Sequence, residues 1–60
     1  MYYNYVLIYQ REWGEIRHFF KTNEEADKAR ISGIYAGCGD GTIQPCYRPV
    51  EKGNYERVHR

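Results

Sequence analysis

The sequence predicts an α+β domain: strand, strand, helix, strand, with a three-stranded, largely antiparallel sheet and the helix packed on one face. Three observations predict it. Residues 2–10 are dense in aromatic and β-branched types and contain no Gly or Pro, which marks a strand. Residues 15–21 alternate, with Ile16, His18 and Phe20 on one side and Glu15, Arg17, Phe19 and Lys21 on the other, the period of a second strand. Thr22 is followed three residues later by Glu25. That is capping-box spacing, in which the threonine oxygen accepts the Glu25 N–H and the glutamate reaches back to the N–H of Thr22.

The first strand carries apolar side chains at both parities, Tyr3, Tyr5, Leu7 and Tyr9 against Tyr2, Val6 and Ile8. The aliphatic Val6 and Ile8 are the better candidates for the helix-facing side, and the tyrosines suit the open side. Arg11-Glu12-Trp13-Gly14 is a polar turn closed by glycine, so the two strands form a β-hairpin. Trp13, near its tip, reads as a clamp folded back over the sheet rather than as a ligand-stacking residue.

From Asn23 the helix is expected to run to about Tyr35. Ala26, Ala29 and Gly33 form a stripe of small residues that permits close approach to the sheet, with Ile31, Ile34 and Tyr35 on its flank. Glycine costs about 1 kcal/mol relative to alanine in a helix, so an end near Ile31 is the rival reading. Gly37-Cys38-Gly39-Asp40-Gly41 stops the helix, with Gly37 suited to the left-handed cap and Asp40-Gly41 to a turn. Residues 42–50 form the third strand, but Pro45 and Pro49 exclude full central pairing. Pairing is expected over 41–44 with an irregular continuation. Residues 51–60 are polar and broken by Gly53, giving a frayed tail or a short extra strand around Tyr55 to Val58. A right-handed crossover would place the helix across one face of the sheet.

Sixty residues make a single domain, 1–60, with its core in about 2–50. A chain of this size buries only about 60% of the surface its unfolded form exposes. Seven tyrosines, two phenylalanines and one tryptophan supply large apolar area per residue. They read either as a compensated small core or as an exposed face used for binding. A formal charge of +1, nine Lys or Arg against eight Asp or Glu, is not the footprint of a protein built chiefly to neutralise phosphates. Nor is it the acidity of a nucleic-acid mimic. Arg48, Lys52, Arg57 and Arg60 make the last third basic, while Glu24, Glu25 and Asp27 make the helix start acidic.

Met1 runs straight into Tyr2-Tyr3 without a basic leader, and Val6-Leu7-Ile8 is too short to span a membrane. The expected compartment is therefore the cytoplasm, with no membrane partner and with Cys38 and Cys46 reduced rather than bridged.

For catalysis the inventory is poor. His18 lies between Ile16 and Phe20 on a strand face, His59 is next to last, and Cys38 sits in a glycine-rich loop. No spacing here supplies a nucleophile–base pair, and no catalytic residue is assigned. Cys38 and Cys46 lack the short spacing of a zinc site and the histidines lie far apart, so no metal or cofactor is expected. The glycine loop follows a helix instead of opening one and carries no lysine, which leaves the wrong end of the dipole for a phosphate.

What remains is binding. The open face of the sheet is expected to carry Tyr3, Tyr5, Tyr9, Arg17 and Phe19, joined by Gln44, Tyr47 and Arg48 of the third strand. Tyr, Phe and Arg are the types enriched in interface hot spots. The same types serve stacking-plus-charge binding of single-stranded nucleic acid, which stands as the alternative reading.

Ile16 and Phe19 leading into Thr22-Asn23-Glu24-Glu25-Ala26, then Tyr35-Ala36-Gly37, then Ile43-Gln44-Pro45-Cys46-Tyr47-Arg48-Pro49, form a series over about residues 5–50. In order and residue type it resembles the small phage proteins that shut off host transcription by binding bacterial RNA polymerase. The resemblance needs a two-residue adjustment after the helix, and its most particular piece is Pro45-Cys46-x-x-Pro49. It implies a strand–strand–helix–strand fold and a non-enzymatic inhibitor acting in the host cytoplasm. The implied partner is a bacterial host protein, RNA polymerase first and other host or defence enzymes next. The chain departs from the family at the third-strand arginines that grip the polymerase, where it has Thr42 and Gln44; Glu12 and Glu15 echo the family's acidic strip.

Overall fold

The computed structural model describes residues 1–33 and 41–60. Within them are β1 (Tyr2–Arg11), β2 (Gly14–Phe20), α1 (Asn23–Ser32), β3 (Thr42–Pro49) and, after a short 3₁₀ turn at Val50–Lys52, β4 (Tyr55–His59). The class is α+β, but the sheet has four strands, not three. Their order is β3-β1-β2-β4, and every neighbouring pair is antiparallel. The chain's last residues therefore form an edge strand instead of fraying. Tyr55-Glu56-Arg57-Val58-His59 alternates in exposure, with Glu56 and Val58 half-buried, and takes register against Gly14 through His18.

A two-residue connection, Glu12-Trp13, closes the hairpin and pairs Arg11 with Gly14. Neither residue has positive φ, so this is not the primed turn that two-residue hairpins favour. Gly14 instead takes φ of 154°, and a Cβ there would lie 1.9 Å from the Val58 carbonyl oxygen. The turn and the seating of β4 thus depend on one glycine.

Register decides which face is core. Tyr5, Leu7 and Tyr9 stand opposite Phe20, His18 and Ile16, and Tyr5 and Leu7 also face Pro45 and Ile43. Leu7 and Tyr9 are almost fully buried with Ala29 of the helix, and Ile16, Phe20 and Ile43 pack against them. This corrects the assignment of Val6 and Ile8 to the helix side. Phe20 does lie on that side, and the antiparallel pairing carries Tyr5, Leu7 and Tyr9 there with it.

Helix α1 is short. The Thr22 oxygen accepts the Glu25 N–H at 3.2 Å, half of the capping box; the reciprocal bond from the Glu25 side chain is not formed among the described residues. Ala26 and Ala29 are its buried residues, so the close-approach stripe brings the helix down on Leu7 and Tyr9. The helix ends at Ser32 with Gly33 in the left-handed conformation, φ 69° and ψ 24°. The extension to Tyr35 is thereby corrected, and the stop near Ile31 is the one realised. Ser32 bonds back to the Ala29 carbonyl, a competition with the helical ladder that weakens a last turn. Ile31 is half exposed. The expectations for Ile34, Tyr35, Gly37, Cys38 and Asp40 fall outside the described residues. Replacing Thr22 with alanine should cost about 1 kcal/mol, read as a lower midpoint in urea.

β3 pairs regularly with β1 from Thr42 to Pro45, slips by one residue between Tyr3 and Tyr5, and resumes at Arg48 and Pro49. Two residues, Cys46 and Tyr47, thus stand against Asn4, a β-bulge that re-aims the strand beyond it. The Val50 N–H donates to the Met1 carbonyl. By the alternation of antiparallel pairs, Pro49 therefore faces the outer side of the sheet, where its missing N–H costs no pairing.

Candidate functional site

The face opposite the helix is where sequence reasoning placed a binding surface. It is built differently. Val6 and Phe19, paired across β1 and β2, are 5% and 7% exposed. The guanidinium of Arg48 lies 4.3 Å from the Phe19 ring centre, and the Tyr3 ring lies 6.4 Å from it. The short connection from β3 to β4 has to pass the ends of β1 and β2, because its strands are the two edges of the sheet. Arg48 holds that connection. It donates to the carbonyls of Lys52 and Gly53 and to Glu56 Oε2, at 2.9–3.0 Å.

Glu56 also accepts from Arg17 at 3.2 Å, and Arg17 binds Glu15 through two nitrogens. Glu15, Arg17, Glu56 and Arg48 therefore form one alternating network across β2, β4 and β3. Arginines held by carboxylates and carbonyls present fewer donors to a partner.

The structure thus separates the predicted site residues. Tyr3, Phe19 and Arg48 meet, with Arg17 joined through Glu56, but Phe19 is buried and Arg48 is engaged. Tyr9 is 1% exposed, a core residue on the helix side and not an open-face tyrosine. Tyr5 is half-buried on that same side, opposite Phe20. Gln44 is exposed opposite Val6. Tyr47 is 74% exposed and stacks on Tyr2, with ring centres 4.0 Å apart and planes 16° apart. The stacked pair lies at the outer edge of the sheet, on the bulged part of β3.

A second cluster escaped the sequence reading. On the helix side of β4, where α1 does not reach, the Arg57 guanidinium lies 4.6 Å from the Trp13 ring centre and the His59 ring 4.9 Å from it. His18 is flanked by Tyr9 and Tyr55, 6.3 and 5.1 Å away. The Arg60 N–H donates to the Trp13 carbonyl and its guanidinium to Gln10 Oε1. Trp13 does fold back as a clamp, against β4. The available signal was the alternation of residues 55–59, which argued for a strand beside the hairpin.

Two groups are shifted by their surroundings. Burial lowers the His18 pKa. Burial raises that of the Cys46 thiol, which the Arg48 charge partly offsets; its Sγ lies 3.5 Å from the Tyr3 carbonyl oxygen. For His18 the sign is definite. The unfolded chain takes up a proton near the ordinary value of about 6.5, and the folded chain only at lower pH. Its contribution to stability is full above the unfolded value and declines as pH falls towards the folded one. Urea midpoints measured between about pH 5 and 8 should fall on acidification less steeply in His18→Asn than in the parent.

No group of three or more His, Cys, Asp or Glu capable of holding a metal occurs among the described residues. An open depression of about 300 Å³ between β1 and β3 is lined, among the described residues, by Ile8, Tyr9, Gln10, Arg11, Gly41 and Thr42, none of which is a carboxylate, histidine or thiol. Among the described residues no helix is long and apolar enough to cross a membrane.

No family model matches the chain, and neither does any curated protein or solved structure.

Proposed function

We propose that this protein is a non-enzymatic binding module that acts by occupying a site on a larger protein. Its target is a bacterial host protein, and RNA polymerase is the one that the sequence resemblance implies. One observation carries the reading. The segment Pro45-Cys46-Tyr47-Arg48-Pro49, the most particular piece of that resemblance, lies at the bulged end of an exposed edge strand, where Tyr47 is stacked on Tyr2 and open to solvent. A rigid, exposed aromatic pair offers large contact area with little ordering left to lose on binding.

The single-strand nucleic-acid reading loses its support on the predicted face, because Arg17 and Arg48 are held by Glu15 and Glu56. Purified bacterial RNA polymerase tests the proposal. The protein should bind it and reduce transcription in vitro, and Tyr47→Ala should weaken binding by about tenfold or more with an unchanged urea midpoint. Absence of binding together with undiminished transcription rejects the polymerase as target. Full binding by Tyr47→Ala rejects the β3 edge as the contact.

A further inference from the structure

The other edge of the sheet has a different chemistry, independent of what the β3 edge binds. The Phe19 N–H donates to the Asn54 carbonyl and the Arg60 N–H to the Trp13 carbonyl, both at 2.9 Å. In an antiparallel ladder hydrogen-bonded and non-bonded pairs alternate. Glu56 and Val58 therefore turn their backbone groups inward to β2, and Tyr55, Arg57 and His59 turn theirs outward. β4 contains no proline and no bulge, unlike β3, and no strand lies beyond it among the described residues. It is an edge of the kind that accepts an added strand.

The side chains of the three outward residues share one face of the sheet, since they pair with His18, Ile16 and Gly14. At the centre of that row Arg57 lies over Trp13. Stacking on an indole fixes the plane of a guanidinium while leaving its in-plane N–H fork available for a carboxylate. Arg57 has no ion pair among the described residues. His59 continues the row towards the hairpin end, where Arg11 lies opposite Gly14 on the far side of β2. The carboxylates nearest in sequence register, Glu15 and Glu56, are engaged with Arg17 and Arg48.

We infer that the β4 edge is a docking site for an extended acidic segment of another protein, which adds antiparallel to Tyr55–His59 as a fifth strand. A carboxylate opposite Arg57 would meet the stacked guanidinium, and a second one two residues along would lie beside His59. A second copy of this chain is a poor occupant. Two-fold pairing of β4 with itself, centred on Arg57, sets two guanidiniums opposite one another, and like charges so placed are destabilising.

Trp13, the single tryptophan, reports on the site. The test is titration of the ¹⁵N-labelled protein with a short capped peptide alternating aspartate and valine, followed by amide shifts, hydrogen exchange and tryptophan fluorescence. Shifts and slowed exchange at Tyr55, Arg57 and His59, with a change in Trp13 emission, are expected. Arg57→Ala should weaken binding about tenfold and Arg57→Lys by less, with both variants keeping the parent urea midpoint. A peptide with lysine in place of aspartate, or methylated on alternate backbone nitrogens, should not bind. Equal binding of the lysine peptide, shifts confined to Tyr2 and Tyr47, or dimerisation through β4 would overturn the inference. So would quenching of Trp13 by an oligothymidine at lower concentration than the peptide requires, which would assign the patch to nucleic acid. None of these outcomes bears on polymerase binding through β3, so the two proposals fail separately.

Discussion

Replacing Arg48 with methionine should lower the unfolding free energy by about 2–3 kcal/mol. The side chain is only 17% exposed. Its loss removes donors to Lys52, Gly53 and Glu56 together, along with the guanidinium over Phe19. A domain of this size has only a few kcal/mol in hand, so the urea midpoint should fall steeply and Phe19 should gain access to solvent. Arg48→Lys should recover little, because an ammonium cannot span two carbonyls and a carboxylate as a planar fork does. Arg57→Ala serves as the control: an exposed arginine lost from β4 should leave the midpoint within about 0.5 kcal/mol of the parent. Equal midpoints for the parent and Arg48→Met would show that the crossover is held by something other than this side chain.

Gly14→Ala should detach β4. The added Cβ would lie 1.9 Å from the Val58 carbonyl oxygen and 2.9 Å from the His59 Cα, and both are backbone atoms that no rotamer change can move. The strain of forcing such a contact is about 1–3 kcal/mol. It falls on the hairpin and the edge strand together, and the parent φ of 154° is also unfavourable for alanine. The readout is local: Glu56 and Val58 amides should lose exchange protection while Leu7 and Tyr9 keep theirs. If the edge inference holds, the same variant should lose the acidic peptide although Arg57 is intact. Undiminished protection at Glu56 and Val58 would mean that β4 is seated independently of Gly14.

Much of the fold was legible because its signals are local. The Thr22–Glu25 spacing located the helix start to the residue, since an N-cap bond depends on four consecutive residues and little else. Ala26 and Ala29 were readable as the close-approach stripe for the same reason. The helix end was not, because Ser32-Gly33 fits either a weak interior or a terminus. The structure resolves this through the left-handed conformation at Gly33 and the Ser32 bond back to Ala29.

The core face was misread for a reason that register explains. Reading Arg11–Gly14 as a four-residue turn left the pairing of β1 with β2 open. A two-residue connection fixes Tyr5 against Phe20 and Tyr9 against Ile16. Once Phe20 is under the helix, Tyr9 must be there too, and aliphatic preference for Val6 and Ile8 cannot outweigh the geometry of the ladder.

The candidate site was legible in its residue types and not in their placement. Aromatic and arginine enrichment pointed to binding, and the residues so identified divide among the core, a structural network and an exposed edge. No rule of spacing tells an arginine that will grip a partner from one that will tie down its own chain. That depends on where carboxylates such as Glu56, eight residues beyond Arg48, arrive in space.

By itself the sequence determined an α+β domain with a β-hairpin, a capped helix opening at Thr22 and a proline-interrupted third strand, because each rests on contacts among neighbours along the chain. Only the tertiary structure decided that residues 55–59 complete the sheet, that Tyr9 is core while Tyr47 is open, and that Arg48 is a clasp while Arg57 is presented. Those outcomes follow from strand order and register. Both are set by which distant segments exclude water from one another, a property that no stretch of sequence contains alone.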